Sequence, residues 1–360
     1  MSASVALDTL LDPARVARLR RAGALVLDVD DTLLARERTG TGGAETFTES
    51  ASARLLPELL RRGFNLCLIT GHGWQQLRAR LIAPLNERLR ETGDAACIER
   101  LRVYANRGAT KIVWDGERHA VDELYGAQHQ LRAGDVKALR VLLETLGAEF
   151  DASFDARREW FQTAFPRFDF ATLPARVGER EGAVLVLRPI PARSHAADGE
   201  VASARAELYE RGLQLLRRAN LSDDYELAES GRSSIEITRR GVSKEAAMRD
   251  LIAELIATTR EDAPGEGAAG ADASGADALG GDAARVEAAL IYVGDEFFAG
   301  GNDFVIPRVF PRALCLSVAG ESAGDPAQAG VVSLARATGA QGTAATAALL
   351  AHVLNLSARV

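Results

Sequence analysis

Cysteine is scarce: Cys67, Cys97 and Cys315 are the three positions in 360 residues. Their wide spacing fits neither a disulfide framework nor a thiolate zinc cluster. Cys67 and Cys315 sit inside apolar, strand-like runs, where a thiol behaves as a small core side chain. A reducing compartment and a cytoplasmic location are therefore expected. No apolar run has the length needed to span a bilayer. The first residues, MSASVALDTLLDPARVARLRRAG, carry acids and no long apolar segment, so no signal peptide and no membrane association are expected. An excess of positive charge is also missing. The formal net charge is -7, which argues against a general attraction to nucleic acid. It does not exclude a phosphorylated small molecule, because a local cation can invert the field at one site. No internal repeat is found, and the oligomeric state is not legible.

What is present reads as a globular chain of two domains. Its organising stretch is residues 24–34, ALVLDVDDTLL. Residues 24–27 form a short apolar run suited to a buried strand. Asp28, Asp30 and Asp31 follow at once, and then Thr32. Acids crowded at the end of a buried strand repel one another and lose solvation, so they call for a compensating cation. Mg²⁺ suits hard carboxylate oxygens, and the carboxyl ends of parallel strands are where open α/β sheets place their chemistry. A plain acidic turn is the competing reading, since Asp is common in turns.

The chain in order supports the first reading. A short basic helix (13–22) leads into the first strand, and a Gly/Thr-rich loop (35–48) follows it. A helix is expected over about 49–62 and a second buried strand over 64–69, FNLCLI, ending in Thr70-Gly71-His72-Gly73. A helix over about 74–90 and a strand at 102–105 come next. This strand–helix alternation predicts a doubly wound parallel sheet of Rossmann-like type. From about residue 116 the pattern changes to helices at 135–146 and 201–219 around strands at 183–190 and 233–238, which predicts an independent α+β domain. Ser243 is a good N-cap for a helix opening at Lys244 and reaching about residue 258. The Gly/Ala/Asp-rich segment 261–284 cannot bury enough apolar area to order itself and is expected to be a flexible surface insertion. Strands at 288–293 and 313–318 and a closing helix at 343–356 complete the chain.

Four strand or helix ends thus carry polar groups: Asp28 with Asp30, Thr70, Lys244, and Asp295 with Asn302 and Asp303. Taken singly, each has a structural explanation. Together they are the types a phosphoryl-transfer site needs: a carboxylate nucleophile, a second carboxylate as acid and base, and a hydroxyl, backbone N–H groups and a lysine for the phosphoryl oxygens. The sequence resembles the haloacid-dehalogenase-like superfamily through DVDDT, LITG, GVSK and VGDEFFAGGND. The position of the middle segment, between the Thr and Lys motifs, resembles the C2-cap class of Cof-type phosphatases, trehalose- and sucrose-phosphate phosphatases and phosphomannomutases. The implied division is a core over 1–115 and 241–360 with an inserted α+β C2-type cap over 116–240.

The resemblance implies roles. Asp28 is the expected nucleophile, Asp30 the acid/base with its carbonyl on Mg²⁺, and Thr70 with the Gly71 N–H the phosphoryl holder. Lys244 bridges phosphate and Asp28. Asp28, Asp30 and Asp295 are the expected metal ligands, and Asn302 and Asp303 complete the shell through phosphate, lysine or water. Asp31 stands where many members carry Gly, and His72 where Cof-type members often carry Arg. Arg188, Arg193 and His195 are candidate substrate contacts in the cap, with a solvated loop as the alternative for each. The implied activity is a Mg²⁺-dependent phosphatase acting on a small phosphorylated metabolite, expected to be a sugar phosphate, through an aspartyl-phosphate. A phosphosugar mutase using the same intermediate is the alternative.

Overall fold

A computed structural model describes residues 3–36, 44–155, 177–187, 198–230, 234–261, 275–298, 301–319 and 330–359. The chain divides into two compact units, one of Met1–Val121 with Ser243–Val360 and one of Asp122–Val242. Each has its own apolar core. One cluster runs from Leu7 to Leu356 through the first unit, the other from Leu131 to Ile237 through the second.

The first unit is built on an eight-stranded sheet. Its strands are β1 (Leu25–Leu27), β2 (Leu66–Ile69), β3 (Leu101–Ala105), β4 (Thr110–Trp114), β5 (His119–Val121), β10 (Ile291–Gly294), β11 (Leu314–Ser317) and β12 (Val331–Ser333), in the order β12-β11-β10-β1-β2-β3-β4-β5. The run from β12 to β3 is parallel, and β4 and β5 are antiparallel additions. β1 lies between β10 and β2, with Leu25 opposite Ile291 and Leu66. All three β1 residues are fully buried, which is why the run is continuously apolar rather than alternating. Leu25 and Leu27 join the main cluster. The helix Lys244–Glu261 packs against the sheet, where Tyr104 in β3 donates its hydroxyl to Asp250 Oδ2 (2.7 Å).

Several expectations are corrected in detail. The helix expected over 49–62 is an α-helix only over Leu56–Arg61, preceded by one 3₁₀ turn. Pro57 suits a first turn but not a helix interior, and the hydroxyls of Ser50 and Ser52 both donate to Leu33 O (2.8 and 2.6 Å), holding the chain upstream in another path. The helix expected over 74–90 contains a π segment, Arg78–Ile82. Pro84 has no N–H to give to Arg80 O, and that carbonyl accepts instead from Phe47 N (2.9 Å). Residues 116–121, expected in the second domain, lie in the first unit, where β5 pairs with β4. The segment 261–284, expected to be a flexible insertion, is helical from Gly275, in a helix running to Ala288, and residues 262–274 lie outside the described residues. Alanine supports helix even in a Gly-rich setting, and Asp282 accepts from the Arg260 guanidinium (2.7 Å) at the end of the preceding helix.

The second unit is a four-stranded antiparallel sheet with two long helices. Its strands β6 (Val177–Arg180), β7 (Val184–Leu187), β8 (Tyr225–Ser230) and β9 (Ser234–Arg239) are ordered β6-β7-β9-β8. The helices Val136–Asp155 and Asp198–Arg218 pack on each other and on the sheet. Leu139, Leu143 and Leu146 meet Leu185, Leu187, Ile235 and Ile237 in this core. No helix among the described residues is long and apolar enough to cross a membrane.

Candidate active site

The polar residues of the first unit gather at the carboxyl ends of its central strands. Asp28 is the first residue after β1, and its N–H donates to Val293 O in β10 (2.9 Å). The chain then folds back tightly. Leu33 N and Leu34 N both donate to Val29 O, and Asp31 N to Leu34 O. Asp31 takes the left-handed conformation, with φ of 53°, which Asp tolerates better than most residues and glycine best. Thr70 is the first residue after β2, two past Leu68, which is in register with Leu27. It is fully buried, and its Oγ1 accepts from His72 N (3.1 Å).

Lys244 opens its helix, and Ser243 Oγ caps it by accepting from Ala246 N (3.1 Å). The turn after β3 fixes this helix start. Gly108 has φ of 98°, and a Cβ there would lie 2.6 Å from Ser243 O, so only glycine permits the approach. The turn after β10 is similarly close. A Cβ on Gly294 would lie 2.2 Å from Asp303 Oδ2, and one on Gly301 2.2 Å from Glu296 O. These glycines let Asp303 and Glu296 lie close beside the strand end.

The result is a cluster. Lys244 Nζ is 3.1 Å from Asp28 Oδ1 and donates to Asp303 Oδ1 at 2.8 Å. Carboxylate oxygens of Asp28, Asp295 and Asp303 all lie within 4.8 Å of one another. Asp303 is the most fully committed of the three. Its Oδ1 also accepts from Tyr292 OH (2.6 Å), and its Oδ2 from Glu296 N (3.0 Å). Asp295 Oδ1 is buried with no hydrogen-bond partner.

One ammonium does not balance this charge. Burial pushes the Asp28 carboxyl up to about 7; Lys244 opposes this, while Asp303, Asp30 and Glu296 add to it. Burial and the neighbouring Asp28, Asp303 and Glu296 push Asp295 up to about 10, with Lys244 a small counterweight. Burial opposes the charge on Lys244, but Asp28 and Asp303 outweigh it and hold the ammonium protonated far above neutrality. Two carboxyls held partly or wholly neutral beside a saturated third are the signature of a missing positive charge. The donor set is all oxygen, and Asp28 and Asp295 have capacity to spare, so these residues fit a hard divalent cation.

Asp30 behaves differently. Burial raises its pKa, but His72, Arg36 and Arg80 prevail and hold it below the usual carboxylate range. His72 Nε2 contacts Asp30 Oδ2, and Arg80 Nη1 lies 3.8 Å from Oδ1. Arg36 pairs with Asp31 (3.3 Å) and reaches Glu296 (3.7 Å).

Of the residues expected from the sequence, Asp28, Lys244, Asp295 and Asp303 converge directly. Asp30, Thr70 and Gly71 occupy the adjoining strand ends. Asn302 donates its N–H to Glu296 Oε2 (3.3 Å). Arg188, Arg193 and His195 lie outside the described residues, as does part of the Gly/Thr-rich loop, 37–43. Tyr292, Glu296, Arg36 and Arg80 were not foreseen. Lysine composition is a usable signal: lysine occurs only at 111, 137 and 244 among 43 basic residues. A chain that otherwise uses arginine keeps a compact ammonium where two carboxylates close on one point.

The sheet order, the site at its carboxyl edge and the α+β unit inserted in the sequence define a mostly parallel α/β fold with a second domain. Solved structures of one nucleotidase share this fold. The chain is similar to an N-terminally truncated, IMP-bound IMP-nucleotidase of Plasmodium falciparum, with a TM-score of 0.53 and 13% identity over 96% of this chain and 72% of that one. A second structure of that nucleotidase aligns with a TM-score of 0.50 and 12% identity over 96% and 74%. A trehalose-6-phosphate phosphatase of Aspergillus fumigatus aligns over 96% and 98% with 13% identity and a TM-score of 0.48. No family model matches the chain, and no curated protein matches it.

Proposed function

We propose that the protein is a divalent-cation-dependent phosphatase of small phosphorylated metabolites. The observation that carries this reading is the meeting of Asp28, Asp295, Asp303 and Lys244, residues from three distant parts of the chain, around one buried point. Asp28 Oδ attacks phosphorus and forms an aspartyl-phosphate, while the ester P–O bond breaks. The departing oxygen keeps the electron pair and takes a proton from Asp30, which gains that proton, against the pull of His72, Arg36 and Arg80, when an anionic phosphate binds beside it. Asp30 then accepts a proton from the water that attacks phosphorus, and inorganic phosphate leaves with Asp28 restored. The Thr70 hydroxyl and the Gly71 N–H bind phosphoryl oxygens, and Lys244 offsets charge on both phosphate and nucleophile.

Asp28 and Asp295, with the Asp30 carbonyl, would hold the cation, and Asp303 would keep Lys244 in place. When bound, the cation supplies the positive charge that lets an anionic nucleophile approach an anionic phosphate; Mg²⁺ suits the oxygen set. The second unit, inserted between Thr70 and Lys244 in the chain, is proposed as the cap that selects the substrate. Sugar phosphates are the substrate class proposed, and the fold shared with an IMP-bound nucleotidase adds nucleoside monophosphates to the test. The experiment is phosphate release from a panel of both, with magnesium and with EDTA. Magnesium-dependent release that Asp28→Asn abolishes supports the reading; no release from any phosphomonoester refutes it.

A further inference from the structure

We propose that His72 is a positioning residue that fixes the Asp30 carboxylate relative to the phosphate-binding turn. This rests on the phosphatase reading above. The backbone and the ring of His72 each hold one proposed functional group. Its N–H donates to Thr70 Oγ1 (3.1 Å), and its Nε2 contacts Asp30 Oδ2. The ring is held from behind, because Nδ1 lies 2.7 Å from Gln76 Oε1, four residues on. Arg80, four residues further, faces the other Asp30 oxygen at 3.8 Å. Its guanidinium is itself anchored to Glu45 O by two bonds, at 3.2 and 3.0 Å. Asp30 thus has Oδ2 in contact with His72 and Oδ1, which has no hydrogen-bond partner, facing the Arg80 charge, both from one stretch of chain, 72–80, that follows directly on Thr70 and Gly71. The pair is sheltered: the His72 and Asp30 side chains are 22% and 15% exposed.

This geometry has a chemical consequence. An Asp side chain turns freely about two bonds, and a proton donor works only when aimed at the departing oxygen. The backbone link makes the donor and the phosphate holder one rigid piece. A turn-stabilising histidine with no part in the reaction would slow all substrates alike. A histidine that aims Asp30 affects water activation for every substrate, and in the first step it matters only where the leaving oxygen needs a proton; kcat/KM, which ends at the aspartyl-phosphate, isolates that first step. An alkoxide needs one when the P–O bond breaks, whereas p-nitrophenolate departs as a stable anion.

The test compares the best alkyl phosphate of the substrate panel with p-nitrophenyl phosphate. His72→Ala should lower kcat/KM on the alkyl ester roughly 10²-fold, the scale of a misdirected proton donor. On p-nitrophenyl phosphate the loss in kcat/KM should stay below about tenfold. His72→Gln, whose amide Nε2 takes the place of the ring Nε2, should recover part of the alkyl loss, and it gives the same ratio should the alanine variant not fold. Equal losses on both substrates, or no loss on either, overturn the proposal. Wild-type protein that releases phosphate from neither ester removes the phosphatase reading itself and this inference with it, an outcome seen before any variant is made.

Discussion

Replacing Asp295 by asparagine should make the metal-free protein more stable while removing its metal response. Asp295 is pushed up from 3.8 to about 10, first by burial and then by Asp28, Asp303 and Glu296. The unfolded chain releases this proton near pH 4, and the folded chain keeps it to about pH 10. Between those limits the folded state binds more protons, so stability falls as pH rises. At about 1.36 kcal/mol per unit, the penalty accumulated between the unfolded pKa and pH 7 is about 4 kcal/mol. Asparagine has the same shape, does not titrate, and offers N–H donors to the neighbouring carboxylates. Urea unfolding in EDTA from pH 4 to pH 8 should show the Asp295→Asn variant equal to wild type near pH 4 and more stable by up to about 4 kcal/mol at pH 7. Magnesium should stabilise the wild type, by about 2.7 kcal/mol at one hundred times its dissociation constant, and should leave the variant unmoved. A variant no more stable than wild type at pH 7, or a difference that does not change with pH, would refute the reasoning.

Other outcomes follow from the same contacts. Lys244→Met leaves Asp28 and Asp303 buried without their cation and should cost about 3–5 kcal/mol in EDTA at pH 7, read by urea unfolding; a loss under about 1 kcal/mol contradicts the ion pairs. Lys244→Arg should not restore turnover, because a planar fork cannot occupy the point between Asp28 and Asp303; phosphate release at or near the wild-type rate would count against that geometry. Gly294→Ala places a Cβ 2.2 Å from Asp303 Oδ2 and should destabilise by about 1–3 kcal/mol, checked by thermal unfolding; an unchanged midpoint contradicts the close approach. Asp28→Asn should abolish turnover while keeping the wild-type circular dichroism spectrum; residual activity above about one per cent contradicts the nucleophile role.

The sequence makes the centre of this molecule legible because burial there is total. A strand buried on both faces must be continuously apolar, so 24–27 stands out, and acids at its end have no structural reason to crowd. Lys244 stands out for a related reason, at a capped helix start. Edges and turns are less legible. Asp115-Gly116 is a hairpin signal, and its physics is present: Gly116 has φ of 100°, and Asp115 Oδ1 accepts from Glu117 N and Arg118 N at 3.0 and 2.8 Å. The surrounding change of pattern masks it, and the expected domain boundary falls a few residues before the observed one. The helix Gly275–Ala288 was hidden by its glycines, although Val286 is buried. Which carboxylate is saturated and which is left unpartnered was beyond sequence reasoning altogether. Asp295 and Asp303 look alike in GDEFFAGGND, and only the approach permitted by Gly294 decides that Asp303 takes Lys244, Tyr292 and the Glu296 N–H. The contact of His72 with Asp30 likewise depends on how two strand ends meet.

The central claim is that Asp28 carries the phosphoryl group, and it can be measured directly. Protein quenched during turnover of its best substrate is treated with borohydride, which reduces an aspartyl-phosphate to an alcohol, and the digest is read by mass spectrometry. Reduction is expected at Asp28, dependent on substrate and absent from Asp28→Asn. Turnover with no reduced residue, or reduction at Asp30 or Asp295 instead, would contradict it.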